Sequence, residues 1–450
     1  MSHSSKDGIR RSGCNQRICL SFAVMLLCLL TVSGYAQVDP GIRGGPAGAG
    51  PAFATGLTVG ERDFFINFGV PQFMEVEDVD EGLGPRFNLD SCGGCHIFPV
   101  LGGSSPRTNN PQVVRAPIMA PGSTVPGFLN IDGPIREVRF IRRANGTADG
   151  GVHDIFTTVG RPDNPAGCRI RQPNFSDTSN MIFRIPTPLF GAGLIESITD
   201  ATIKENLTSD SMGLKRYLGI SGHPNTNGND GTVTRFGWKA QNKSLLLFSG
   251  EAYNVEMGIT NEIFPNEREE NPKCATNELA ENHTDFDSGA EAADIVAFMA
   301  FMRFLDQPKP ACGVSGQPEC SPSINGGRRL FEMIGCASCH TPSLTTGLSP
   351  IEALNKKPAN LFSDLAVHDM GSGLADNVTQ GEAGPSEFRT APLWGIGQRA
   401  FFMHDGRTAD LLEAILAHDS EGSEASRVIR LFQRLNSQQK QNILNFLRSL

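Results

Sequence analysis

Two pentapeptides carry chemistry, Cys92-Gly93-Gly94-Cys95-His96 and Cys336-Ala337-Ser338-Cys339-His340. Two thiols three residues apart can each bond one vinyl group of a single haem. The adjacent imidazole then reaches the iron as an axial ligand. With 11 cysteines and 9 histidines in 450 residues, chance would supply about 0.005 such pentapeptides. A zinc site, a redox dithiol or a disulfide would draw on the same cysteines, but the repetition of the whole pentapeptide outweighs them. The pattern predicts two covalently attached haem c groups. Cys92, Cys95, Cys336 and Cys339 would bind them, with His96 and His340 as iron ligands.

What two such haems do depends on the sixth position of each iron. A strong second ligand makes an electron carrier; an open position admits peroxide or oxygen. Outside the first 36 residues, six other histidines are available: His153, His223, His283, His368, His404 and His418. The first three sit in loop-like sequence. The last two belong to an informative run, Phe401-Phe402-Met403-His404-Asp405-Gly406-Arg407, followed by an apolar-periodic segment, Leu411 to His418. His418 falls on the face shared by Leu411, Ala414 and Ile415 and can point inward. Met403 and His404 are its chemical rivals.

The elements that must position these groups read as helices. Gly327 to Ile334 runs into the second pentapeptide. The last segment, capped by Ser437, puts Ile443, Leu444, Leu447 and Leu450 on one face. Ala292 to Leu305 is amphipathic, with Ile295, Phe298, Met299, Met302 and Leu305 aligned. Trp238 to Asn254 also has helical spacing. Between Pro106 and Asn180 the sequence is rich in turn formers, with short alternating runs such as Ile135 to Phe140. Pro188-Leu189-Phe190-Gly191-Ala192-Gly193 echoes Pro392-Leu393-Trp394-Gly395-Ile396-Gly397, and each follows a pentapeptide. The fold expected is mainly α. It has two cytochrome c-like domains related by an internal repeat, with short β insertions in the first.

Residues 1–36 read as a secretory signal peptide. Arg10, Arg11 and Arg17 precede an apolar stretch from Ile18 to Val32, and Gly34-Tyr35-Ala36 is a small-x-small cleavage site. The rest divides into a Gly/Pro-rich flexible lead-in (37–60), an N-terminal c-type haem domain with insertions (61–306), a Pro/Gly linker (307–323) and a C-terminal cytochrome c domain (324–450). The formal net charge of −9 argues against nucleic acid as a partner, and no membrane span is expected after signal cleavage. Cys168, Cys274, Cys312 and Cys320 allow three pairings or free thiols. The local pair Cys312–Cys320 would leave Cys168 with Cys274. An exported, periplasmic location suits both disulfides and covalent haem.

The chain resembles the bacterial di-haem cytochrome c peroxidase superfamily. It is closest to its di-haem oxidoreductase branch, sometimes called thiol oxidoreductase-like. The resemblance rests on Leu83-Gly84-Pro85-Arg86-Phe87-Asn88, Pro188 to Ile198, Phe236-Gly237-Trp238-Lys239-Ala240-Gln241, Glu256-Met257-Gly258-Ile259-Thr260, His368-Asp369-Met370-Gly371 and Arg389 to His418. It implies that His418 is the distal ligand of the C-terminal haem, where peroxidases usually have methionine, and so a bis-histidine iron of lower potential. It implies that Glu256 is the catalytic carboxyl beside the N-terminal haem, the alternatives being a surface carboxylate or Met257 as a ligand of that iron, and that Trp238 lies between the two haems. It implies structural roles near the haems for His368 and His404, and propionate contacts for Arg389 and Arg399. The superfamily often holds calcium between its domains through an asparagine. The matching position here is near Phe190, which offers no ligand, so the resemblance argues against calcium. The implied function is a peroxidase-like oxidoreductase. Its partners would be a small-molecule oxidant or substrate and a redox protein, either a cytochrome or a copper protein. A plain electron-transfer cytochrome, or an oxidase or oxygenase of an organic substrate, are the alternatives.

Overall fold

Capping residues and glycines cut this chain into short helices joined by long irregular stretches. The computed structural model describes Met1 and residues 37–44, 52–158, 166–210, 212–266, 271–274, 280–285 and 292–450. Apart from Met1, the expected signal peptide lies outside the described residues. Helix takes about a third of the chain, and the strands form only two-stranded antiparallel ladders.

α1 (Val59–Phe64) opens on a capping box between Thr58 and Glu61. A π-helical turn, Phe65–Gly69, carries it into α2 (Val70–Met74). Phe65 and Phe73 both stack on Phe301. β1 (Glu137–Phe140) pairs with β2 (Met181–Arg184), with Glu137 opposite Arg184. α3 (Ala192–Ser197) follows Gly191. α4 (Leu245–Met257) starts at Ser244, whose hydroxyl accepts from the Leu247 N–H, and stops at Gly258 in the left-handed region. The helix expected from Trp238 onward therefore begins seven residues later. Gly237 and Ala240 have positive φ, and Phe236 and Asn242 exchange backbone hydrogen bonds, which makes the Trp238 segment a closed turn.

α5 (Asp294–Phe304) was expected to be amphipathic. Ala297, Ala300, Phe301 and Phe304 are buried as well as Ile295, Phe298 and Met302, because α4 packs on it from one side and the α1–α2 turn from another. α6 (Pro322–Met333) takes Ser321 as its cap and runs into the second pentapeptide. β3 (Val367–Asp369) pairs with β4 (Glu387–Arg389). α7 (Leu411–Leu416) starts at Asp410. α8 (Ser437–Ser449) is capped by Asn436 in a box with Gln439; Ser437, the expected cap, is its first helical residue.

Two large cores result. Phe65, Phe73, Tyr253, Phe298 and Phe301 lie in the first. Phe331, Phe362, Phe432, Leu444 and Phe446 lie in the second. The cores interleave in sequence: Leu218 and Ile220 join the second, while Leu344, Leu361 and Trp394 join the first. Cys168 is bonded to Cys274 and Cys312 to Cys320. The lead-in departs from the flexible expectation over residues 37–44. Asp39 forms a buried two-bond pair with Arg448 at 2.6 and 2.7 Å, and the Arg43 N–H donates to the Gly397 carbonyl. Composition does not register one buried ion pair. No helix among the described residues is long and apolar enough to cross a membrane.

Candidate haem cavities

The first pentapeptide forms a single helical turn, Cys92–Cys95, entered from the extended Ser91. His96 lies just past it. Its Nδ1 is 3.0 Å from the Gly103 carbonyl oxygen. A carbonyl only accepts, so Nδ1 carries the proton and Nε2 keeps a free lone pair. Burial lowers the pKa of His96 to about 4, so the ring is neutral, as a metal ligand must be. The second pentapeptide repeats the arrangement. Gly335, at positive φ, leads into a short turn, Cys336–Ser338, and His340 Nδ1 is 3.0 Å from the Phe362 carbonyl oxygen. Burial, reinforced by nearby His418, lowers His340 to about 4.

Each pentapeptide borders a cavity. The N-terminal one measures about 160 Å³ and is lined by Cys92, Cys95 and His96; the C-terminal one measures about 200 Å³ and is lined by Cys336, Cys339 and His340. The four thiols are not bonded to one another. The C-terminal cavity has a further imidazole, His418. α7 stops at Leu416, so His418 sits in the turn beyond the helix. Its Nδ1 is 2.8 Å from the Ala414 carbonyl oxygen, which again frees Nε2. Burial lowers its pKa. Among the described residues lining the N-terminal cavity, His96 is the only histidine.

Whether the residues suit a haem can be tested on charge. Arg389 and Arg399 line the C-terminal cavity, both buried. Burial lowers each to about 10, and Arg389 also feels the charge of Arg399. Arg399 Nε and Nη2 are buried without a hydrogen-bond partner. Two buried guanidiniums facing an apolar cavity call for an anion, and haem propionates are carboxylates. In the N-terminal cavity, Arg184 Nε is likewise buried and unpartnered. The thiols, the free Nε2 atoms and these polar atoms fit one haem in each cavity.

Trp238 lines both cavities. Its indole N–H donates to the Ile185 carbonyl at 2.9 Å, and the Ile185 N–H donates to the His404 carbonyl. His404 stacks on Phe388 and meets Trp238 edge-on. Burial lowers His404 to about 4. Trp238, Ile185, Phe388 and His404 thus form the wall between the cavities. His368 is bonded to Asp364 at 3.0 Å and Glu424 at 2.8 Å. With both ring nitrogens engaged, it is a structural ion-pair partner beside Cys339. Met403 lines the C-terminal cavity at positive φ.

Glu256, in the last turn of α4, lines the N-terminal cavity. Asn88 donates to its Oε2 at 2.7 Å. Burial and then the charge of Glu137 raise its pKa well above the ordinary value, so it holds its proton. Glu137, Arg139, Arg184 and Gln241 were not singled out from the sequence. The available signal was Glu137-Val138-Arg139: alternation in a strand puts Glu137 and Arg139 on one face among apolar neighbours.

Two cavities, each bordered by a Cys-x-x-Cys-His pentapeptide and sharing Trp238, suit a pair of haems. The chain belongs to the family described as "Di-haem oxidoreductase, putative peroxidase", whose model matches residues 154–450. The first pentapeptide precedes the matched span. Among solved structures, a MauG-like protein associated with microbial copper homeostasis is 17% identical over 58% of this chain and 89% of its own, with a TM-score of 0.31. Hydrazine synthase from Kuenenia stuttgartiensis is 13% identical over 63% and 97%, with a TM-score of 0.29. At such scores neither carries an argument about this chain. No curated protein matches it.

Proposed function

We propose that this di-haem oxidoreductase is an exported, periplasmic enzyme of peroxidase type. Its reaction would occur in the N-terminal cavity and its electrons would enter through the C-terminal one. The observation that carries the reading is a difference between two otherwise matched cavities. The C-terminal cavity offers two neutral imidazoles, His340 and His418, whereas the N-terminal cavity offers His96 and a protonated carboxyl, Glu256. Two axial nitrogens suit electron transfer; one leaves room for a small oxidant.

When bound, haem would supply an iron able to exchange single electrons with a small oxidant such as hydrogen peroxide or dioxygen. Cys92 and Cys95, and likewise Cys336 and Cys339, would hold it covalently through thioethers. His96, His340 and His418 would ligate through Nε2, and Arg389 and Arg399 would neutralise propionates. Glu256 holds a proton at its carboxyl and can pass it to a peroxide oxygen, a general-acid task. Gln241 Oε1 offers an acceptor to the peroxide O–H. Trp238 lines both cavities, so its indole offers a path for electrons between them. A soluble redox protein, a cytochrome or a copper protein, would deliver the electrons. The reading of residues 1–36 as a signal peptide supports export.

The two halves are read as one c-type plan used twice. A Cβ on Gly193 would lie 2.1 Å from the Arg303 carbonyl oxygen of α5, and one on Gly397 would lie 2.2 Å from the Arg448 carbonyl oxygen of α8. Equivalent glycines thus seat each half's Pro-Leu-aromatic-Gly segment on that half's closing helix, which supports the repeat.

Optical and EPR spectra of the oxidised and half-reduced protein, followed by hydrogen peroxide, test the reading. A low-spin signal beside a high-spin one that responds to peroxide is expected, and Glu256→Gln should slow that response about 100-fold or more. Two low-spin haems inert to peroxide in both states would leave an electron carrier instead.

A further inference from the structure

Glu256 does not stand alone in the N-terminal cavity. Glu137 of β1 lines the same cavity, and the two side chains are hydrogen-bonded to each other. Two buried carboxyl groups in contact cannot both be ionised, so they share one proton. Their surroundings decide where it rests. Arg139 bonds to Glu137 through Nε, and Arg184 stands opposite Glu137 in the β1–β2 ladder. On the other side, Asp154 adds negative charge beside Glu256. Burial would raise Glu137, but the charges of Arg139 and Arg184 outweigh it and hold Glu137 ionised. Arg136 and Glu251 also face the cavity. The sulfurs of Cys92 and Cys95 are uncharged as thioethers.

We propose that Glu137 is a positioning residue for proton delivery: as the fixed anion of the pair, it keeps the shared proton on Glu256. This rests on the peroxidase reading of the cavity. Reduction of one hydrogen peroxide breaks the O–O bond and yields two waters. It consumes two electrons, from the redox partner protein, and two protons. Glu256 gives one proton to a peroxide oxygen. A solvent proton then returns to Glu256, because two adjacent carboxylates repel, and serves as the second. Without the anion beside it, Glu256 keeps the effect of burial but loses the repulsion that reinforces it, so it ionises at lower pH than in the parent.

The test is Glu137→Gln in the holoprotein, which removes the charge but leaves a hydrogen-bonding side chain. The alkaline limb of the peroxide reaction rate is expected to move down by about one pH unit or more. The infrared carboxylic-acid stretch assigned to Glu256, by its loss in Glu256→Gln, should vanish at correspondingly lower pH. Glu137→Asp, which keeps the charge, should restore both. A limb and a band that stay in place in Glu137→Gln, with haem spectra and thermal midpoint like the parent's, overturn the proposal. If Glu137→Gln does not fold, Arg139→Gln examines the pair from the other side. Loss of the pinning cation should shift the Glu256 band, and an unmoved band overturns the proposal. The infrared measurement needs no peroxide. A parent protein inert to peroxide therefore defeats the peroxidase reading, while the band still decides whether the proton is shared.

Discussion

His368 shows how a histidine beside a Cys-x-x-Cys-His pentapeptide can be something other than a ligand. Its two ring nitrogens are taken by Asp364 and Glu424. Burial would lower its pKa, but neighbouring Cys339 and the two carboxylates hold it well above 6.5. As the thioether proposed above, Cys339 would carry no charge, and the carboxylates would remain. Burial would raise Glu424, yet the His368 hydrogen bond and charge and the Ser221 donors bring it down to about 2. The signs are opposite. Glu424 contributes stability that is complete above its unfolded value near 4.5 and is lost as pH falls toward 2. His368 contributes stability that is complete below 6.5 and is lost as pH rises through its raised value. Glu424→Gln should therefore lower the thermal midpoint most near neutral pH and flatten its fall between about pH 4.5 and 2. A variant whose midpoint runs parallel to the parent's through that range would refute the assignment. From the sequence, His368-Asp369-Met370-Gly371 could be read only as a structural element near a haem. Its charge partners are 4 and 56 residues away. The pentapeptides can be read from the sequence because their chemistry is local. Glu137 cannot, because its meaning depends on Glu256, which lies on α4 in a distant part of the chain.

Among the elements, helix identity was more legible than helix boundaries. α5 and α8 follow from apolar spacing. Their ends depend on single side-chain bonds, such as Asn436 accepting from the Gln439 N–H at 2.9 Å, and a one-residue error in the cap followed. The turn holding Trp238 was read as helix because Trp238 and the apolar residues of α4 fall at compatible spacings, while the positive φ of Ala240 leaves no periodic trace. The contact of α6 with α8 is another feature that spacing does not reveal. A Cβ on Gly327 would lie 1.9 Å from the Asn442 carbonyl oxygen and 2.8 Å from Phe446 Cβ, so the helices touch where only glycine fits. Alanine would normally favour a helix interior by about 1 kcal/mol. Here Gly327→Ala must push α8 away, and overpacking of this kind costs about 1–3 kcal/mol. Denaturant unfolding should show the variant less stable than the parent. Unchanged or greater stability would mean that α6 and α8 do not approach this closely.

At the scale of the whole molecule, ion pairs between remote segments tie the parts together. Arg184 of β2 and Lys239, next to Trp238, both contact Asp376, at 2.7 and 3.0 Å. Lys239 is fully buried; burial lowers its pKa to about 8, and Asp376 opposes the change. This cluster fixes the region around Trp238 from both halves of the chain. A second tie joins the two ends. Arg448 of α8 is buried against Asp39, lies over the Phe402 ring at 5.1 Å, and donates to the Arg399 carbonyl. Phe402 and Arg399 both line the C-terminal cavity, so the segment at 37–44 braces α8 beside that cavity. Asp39→Ala would leave a buried guanidinium with only carbonyls as partners, which costs about 3–5 kcal/mol. Reverting the charge with Asp39→Glu should recover part of it. Unfolding of the holoprotein followed through the low-spin EPR signal proposed for His340 and His418 should begin at lower denaturant in Asp39→Ala, because α8 is the helix that loosens. The N-terminal cavity has its own closing helix, α5, which does not depend on Asp39. Its spectral response to peroxide should therefore survive to denaturant concentrations at which the low-spin signal has already changed. Simultaneous loss of both signals would mean that the interleaved cores unfold as one unit and that the brace is not local to the C-terminal cavity.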